Sequence, residues 1–206
     1  MRVAVVAGSG PVFATGWGED VGGGQGNVPV DGPAAFGGLA RLPIPTICAI
    51  NGDCFSAGLE VALACDLRIA AGGARFGFPE IAQGLIPKGG GTQRLPRAVG
   101  RSWAAWLLLT GETIDAQKAL AIGLVNRVVP AAALEDEANA LAKRIAGQAP
   151  LAVRFAKEAA LAALEMPLEQ GLRYELDLAV LLQTTEDRAE GVHAFLEKRP
   201  PRFQGK

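Results

Sequence analysis

One histidine, His193, serves the whole chain, and it falls in a polar stretch near the C-terminus. That scarcity speaks against a triad with an imidazole base and against a histidine-rich metal cluster. Cysteine is scarce too. Cys48, Cys54 and Cys65 match no zinc-ligand spacing, and three thiols cannot all pair with one another. Cys48 and Cys65 stand in apolar runs, which reads as buried, reduced thiols in the cytosol. No apolar run reaches the length of a membrane span. The opening MRVAVVAGSG reads as a strand and a turn rather than a signal peptide. A basic excess is missing as well. With 20 Lys and Arg against 21 Asp and Glu, the net charge of -1 carries no footprint for nucleic acid.

What is present is a globular composition. Of 206 residues, 50% are hydrophobic and 20% charged, enough for one core and a small appendage. Glycine is abundant at 27, which points to tight turns and close backbone approaches. Arg2 to Ala7 reads as a buried strand, followed by the turn Gly8-Ser9-Gly10. A dinucleotide fingerprint fails here, because Pro11 follows the second glycine and Phe13 replaces the third. Val21 to Gly38 is rich in glycine and reads as a loop, with a short helix over Pro33 to Arg41.

Pro45 to Ile50 reads as a second buried strand, Asp66 to Ala70 as a third, and Ala74 to Phe78 as a short fourth. Strands alternating with helices through short links predict an α/β class with parallel strands. Thr92 is placed to cap a helix beginning near Gln93. Lys88 precedes its glycines, so a phosphate-binding loop is a poor match. From Ser102 the pattern is helical, with Trp103, Trp106, Leu107 and Thr110 on one face and Gly111 ending it. Asp115 caps a short helix closed by Gly123, and Leu124 to Val129 reads as a strand. Leu134 to Ile145, Pro150 to Leu164, Leu168 to Leu182 and Glu186 to Lys198 read as helices. Thr184 and Asp187 form a capping-box-like pair before the last one.

Two carboxylates carry the chemical interest. Glu60 is the one charge in the apolar run Leu59 to Cys65, and its helical neighbours are Ser56, Ala57, Leu63 and Ala64. Glu80 follows Phe76-Gly77-Phe78-Pro79 twenty residues later. A buried carboxylate is costly unless paired, hydrogen-bonded or protonated. Two in one glycine-rich stretch indicate a site, unless each has its own surface or hydrogen-bond partner.

Four segments in order give the chain its resemblance. They are Pro45–Asp66 (PTICAINGDCFSAGLEVALACD), Phe76–Leu95 (FGFPEIAQGLIPKGGGTQRL), Thr110–Val129 (TGETIDAQKALAIGLVNRVV) and Thr185–Phe203 (TEDRAEGVHAFLEKRPPRF). Together they resemble the crotonase (enoyl-CoA hydratase/isomerase) superfamily over essentially the whole length. The resemblance implies a spiral of ββα units at residues 1–130 and a helical trimerisation region at residues 131–206. It implies hydration of 2-enoyl-CoA thioesters in the cytoplasm by a homotrimer or hexamer. No cofactor is implied, since coenzyme A is part of the substrate, nor is any metal, membrane or nucleic acid. Isomerisation of a CoA thioester, or a non-catalytic or truncated subunit, are the alternatives.

By the same resemblance, Glu60 activates water and Glu80 protonates C2. The backbone N–H groups of Trp17 and Ala57 form an oxyanion hole, where preorganised donors meet developing charge at a helix start. Lys88 stands where hydratases usually have a glycine whose N–H holds the water, and its side chain lies either near the site or at the surface. Phe195 and Lys198 match residues that contact CoA across a subunit boundary; otherwise Lys198 simply suits a helix C-terminus. One departure stands out. Relatives usually carry a hairpin and a helix ahead of the strand Val3 to Ala7, and no counterpart is found here. An open edge at that strand and poor solubility or activity of the chain alone are therefore expected.

Overall fold

The computed structural model describes residues 1–16 and 32–206. The expectations for Trp17 and for the loop up to Asp31 lie outside the described residues. The elements begin with β1 (Ala4–Ala7), α1 (Gly32–Ala40), β2 (Thr46–Ile50), β3 (Cys54–Phe55) and α2 (Ala57–Ala64). They continue with β4 (Leu67–Ala71), β5 (Arg75–Gly77), a 3-10 turn (Pro79–Gln83) and α3 (Gly91–Thr110). Next come β6 (Ile114–Asp115), α4 (Ala116–Ala121), β7 (Arg127–Val129) and a second 3-10 turn (Ala131–Ala133). Four helices close the chain: α5 (Leu134–Ala146), α6 (Pro150–Ala162), α7 (Leu168–Gln183) and α8 (Glu186–Leu196).

Two sheets share the strands. One has the order β1-β2-β4-β7 and the other β3-β5-β6. β2 is buried at every position, and it runs parallel to β4 with Ile47 opposite Leu67 and Ile50 opposite Ala70. A strand covered on both faces needs such an unbroken apolar run. The chain passes from β2 in the first sheet to β3 in the second, then into α2. It repeats the move through β4, β5 and α3, so the expected ββα repeat is present. Thr46 locks the bases of two strands together: its N–H and its Oγ1 donate to Asp66 at 2.7 and 2.9 Å.

The chain divides into two compact units. The larger comprises Val5–Leu42 and Thr46–Asn139, and the smaller Met1–Ala4, Pro43–Pro45 and Ala140–Lys206. The larger unit holds the main core, with Ile50, Leu59, Phe76, Phe78, Leu95 and Leu107 shut off from solvent. In the smaller unit α6 packs on α7. Among the described residues no helix is long and apolar enough to cross a membrane.

Several local expectations need correction. Thr92 does not cap α3. Gly90, at φ 109°, occupies the cap position with no side-chain bond, and the Thr92 hydroxyl accepts from Gln93 instead. The inward face of α3 is Ala104 and Leu107, whereas Trp106 is exposed and its indole N–H donates to Glu112. The cap of α8 is Thr185, which accepts from the Arg188 N–H, while the Thr184 hydroxyl turns back to Leu181. Asp187 is buried and holds the C-terminal tail, accepting from the N–H groups of Gln204 and Gly205 at 2.6 and 2.8 Å.

Candidate active site

The site is built on α2. Seven of its eight residues are buried, which is why the helix can be apolar nearly all round. Glu60 is the exception in kind but not in place, for it is 0% exposed. Its Oε1 accepts from the N–H groups of Gly89 and Gly91 at 2.6 and 2.8 Å. Its Oε2 is buried with no hydrogen-bond donor among the described residues. One carboxylate oxygen is thus fixed by backbone, and the other is presented to the site.

The loop that holds Glu60 depends on bare glycine backbone. A Cβ added at Gly89 would stand 2.5 Å from the Phe36 ring and 2.7 Å from Glu60 Oε2. A Cβ at Gly91 would stand 2.7 Å from the Phe78 ring and 2.8 Å from Pro87. The two N–H groups can therefore approach the carboxylate only because nothing projects from these positions.

Glu80 enters from the 3-10 turn Pro79–Gln83, which follows Phe78. Both of its carboxylate oxygens are buried without a donor among the described residues. Its charge is near enough to push Glu60 toward the protonated form. Burial is the largest cause of the raised Glu60 pKa; the Gly91 and Gly89 N–H groups oppose it, Glu80 adds to it, and Arg94 opposes it. Three shielded carboxylate oxygens without partners among the described residues, on two interacting acids, form an arrangement that buried polar groups rarely adopt outside functional sites.

Ala57 opens α2 one turn before Glu60, so its N–H has no acceptor inside the helix. The positive φ falls on the preceding residue, Ser56, at 51°, so Ala57 itself starts the helix free of left-handed backbone strain. Facing this helix start is the segment that leads to Trp17. The N–H groups of Phe13 and Ala14 donate to the Asp53 carbonyl at 3.1 and 3.2 Å, and the Phe55 N–H donates to the Ala14 carbonyl at 2.9 Å. An added Cβ at Gly58 would collide with the Ala14 carbonyl oxygen. Gly58 therefore lets residues 13–16 run against the N-terminus of α2.

The structure thus brings Glu60, Glu80 and Ala57 together in the larger unit. Phe195 and Lys198 are in the smaller one. Phe195 is 83% exposed and borders a cavity of about 450 Å³ with Leu182, Val192 and Phe203. Lys198 follows α8 in a left-handed conformation, φ 54°, with its N–H on the Phe195 carbonyl at 3.2 Å. Sequence reasoning placed an N–H donor at Lys88 but missed those of Gly89 and Gly91, and it missed Phe36 and Arg94. The run of three glycines was the available signal, without showing where each N–H points.

Comparison with known proteins agrees with this fold. A family model for enoyl-CoA hydratase/isomerase matches residues 1–206. A 2,3-dehydroadipyl-CoA hydratase of Escherichia coli is 45% identical over 174 residues, which is 84% of this chain and 68% of that protein. An (E)-benzylidenesuccinyl-CoA hydratase of Thauera aromatica is 49% identical over 161 residues, 78% of this chain and 63% of that protein. This chain spans about two thirds of the length of these relatives. The crystal structure of enoyl-CoA hydratase from Bacillus anthracis matches with a TM-score of 0.96 and 40% identity, covering 100% of this chain and 82% of that one. With its ββα repeat, its parallel sheet and its C-terminal helices, the chain has the crotonase fold and belongs to the enoyl-CoA hydratase/isomerase family.

Proposed function

We propose that this chain adds water across the 2,3 double bond of an acyl thioester of coenzyme A. The observation that carries this reading is the pair of interacting acids, Glu60 and Glu80, with three buried oxygens left without donors among the described residues. Glu60, ionised, takes a proton from water through Oε2 while the water oxygen bonds to C3. The π electrons of the double bond move toward C1, and the thioester oxygen gains the enolate charge. The N–H group of Ala57 meets that charge, and the family resemblance assigns the second donor to Trp17, which lies outside the described residues; one such donor is typically worth roughly 10²–10³ in rate. The proton shared by the pair is then delivered through Glu80 to C2 as the enolate collapses. The net change is H on C2 and OH on C3, and return of the proton from Glu60 to Glu80 resets the pair.

The scheme needs one acid charged and the other neutral. Like charges on neighbouring carboxylates separate their apparent pKa values and favour that sharing. A base with a raised pKa is also better matched to neutral pH. Isomerisation is less well supported, since one acid suffices to carry a proton between two carbons. The acyl group arrives on CoA, so the scheme calls for no further cofactor. Phe195 and Lys198 contact the CoA portion in this reading, from a neighbouring copy. Leu168, Leu172, Leu176 and Val180 form an exposed apolar stripe along α7, a surface suited to burial in a trimer or a pair of trimers. A cytoplasmic location fits buried free thiols.

The test is spectrophotometric. The purified protein bleaches the conjugated-thioester absorbance of crotonyl-CoA, a longer 2-enoyl-CoA or 2,3-dehydroadipyl-CoA, without added metal or nicotinamide. Folded protein that binds CoA and turns over none of them would remove the hydratase reading.

A further inference from the structure

The two N–H groups that hold Glu60 belong to a loop, and a loop of consecutive glycines does not hold its own shape. Gly90 sits at φ 109°, a conformation open chiefly to glycine. The guanidinium of Arg94 reaches back one turn from α3 and closes this loop. Its Nη1 donates to the Gly89 carbonyl at 2.8 Å, and its backbone N–H donates to the Gly90 carbonyl, also at 2.8 Å. An added Cβ at Gly90 would collide with Arg94 Nη1. The peptide whose N–H binds Glu60 thus begins one residue from the carbonyl that Arg94 grips.

We infer that Arg94 is the positioning residue of this site: it fixes the Gly89–Gly91 backbone so that both N–H groups stay on Glu60 Oε1 and Oε2 faces the reacting water. This rests on the reading of Glu60 as the base. Arg94 acts on Glu60 in two ways, by holding its donors and by its positive charge, and both favour the carboxylate. The opposing charge is that of Glu80. α1 and β3 also pack on α2 and carry no charged residue; Lys88 stands in the same loop as Gly89, and Arg41 follows α1. α3 also bears Arg97, whose Nη1 donates to the Gln93 carbonyl at 2.9 Å in an exposed position. It is the natural control, being the same kind of bond without the site.

The experiment measures kcat, KM and the acidic limb of the pH–rate profile with crotonyl-CoA for wild type, Arg94→Gln, Arg94→Lys, Arg97→Gln and Glu60→Gln. Arg94→Gln lowers kcat roughly 10–100-fold, the size expected when a reacting group is misplaced by a fraction of an ångström to one ångström. Its acidic limb moves to higher pH, because Glu60 has lost a cation and firm donors. Arg94→Lys, which keeps the cation, shows a smaller shift in the same direction, and it supplies the readout should Arg94→Gln fail to fold. Arg97→Gln leaves the limb in place. An unmoved limb in both Arg94 variants, or a change confined to KM, would overturn the inference while the Glu60 reading stood. Near-normal hydration by Glu60→Gln would instead overturn the reading of the base itself, and the inference with it.

Discussion

Glu60→Gln should make the protein more stable as it makes it inactive. Wild-type Glu60 is 0% exposed, and among the described residues only its Oε1 has donors. Glutamine keeps an acceptor oxygen for the Gly89 and Gly91 N–H groups and removes the charge. A buried polar group without a partner costs about 1–3 kcal/mol, and more when charged. The glutamine NH2 stands where Oε2 stood and is still a buried polar group, so only the extra cost of the charge is recovered, about 1 kcal/mol at pH 7, read as a higher urea midpoint at unchanged slope and fixed protein concentration. The gain should depend on pH. Burial raises the Glu60 pKa in the folded state, so the folded protein binds its proton more tightly than the unfolded chain. Below the ordinary glutamate value, about 4.3, both states are protonated and wild type bears no penalty. As pH rises from there through the raised folded pKa, wild type loses stability that Glu60→Gln keeps. The two midpoints should converge in acid and separate toward neutrality. Equal midpoints at pH 7, or a difference that ignores pH, would show that the Glu60 charge is fully compensated in the fold.

Gly58→Ala drives a methyl into the Ala14 carbonyl, so it should displace residues 13–16 and cost roughly 10²-fold in kcat, as for a lost oxyanion donor; unchanged steady-state kinetics would separate that segment from the site. Ser56→Gly relieves a non-glycine residue at φ 51°, worth about 1–3 kcal/mol of strain less about 0.5–1 kcal/mol of added chain entropy. A lower melting temperature would mean that the serine side chain contributes more than its backbone costs. Leu172→Glu places a charge in the exposed stripe of α7 and should reduce the sedimenting mass; an unaltered oligomer would put the interface elsewhere. Lys198→Ala should weaken CoA binding by titration calorimetry and leave assembly intact, and unchanged affinity would return Lys198 to the role of a solvated helix end.

Glu60 was legible because a lone charge in an apolar helix has few explanations, and Glu80 because its neighbours are aromatic and proline. The parallel α/β class was legible because Thr46–Ile50 and Leu67–Ala71 are short, largely apolar runs set between helical stretches; the ββα repeat came from the family resemblance, since the two-residue β3 (Cys54–Phe55) leaves no pattern to read. What escaped depends on backbone direction. Nothing in Lys88-Gly89-Gly90-Gly91 shows which N–H turns inward; that follows from the left-handed Gly90 and the grip of Arg94 on Gly89. The two threonines before α8 illustrate the same limit. Either could cap, but Thr184 still belongs to the end of α7, where its hydroxyl bonds Leu181. The first strand is shorter than its β-branched run implies, and it is not the buried strand expected, since none of its residues is buried and Val5 is 40% exposed. Arg2 spends its guanidinium on the carbonyls of Ala146 and Phe203, which ties residues 1–4 to the smaller unit.

The central claim is that Glu60 and Glu80 act together on one water and one double bond. The most direct measurement is the hydration rate of the best enoyl-CoA substrate by wild type, Glu60→Gln, Glu80→Gln and the double variant. Each single variant should lose roughly 10²–10⁴ in kcat, the usual size of a general acid–base contribution. The double variant should lose less than the product of the two, because the pair works as a unit. Near-wild-type hydration by either single variant, in protein that is folded and binds CoA, would contradict the account.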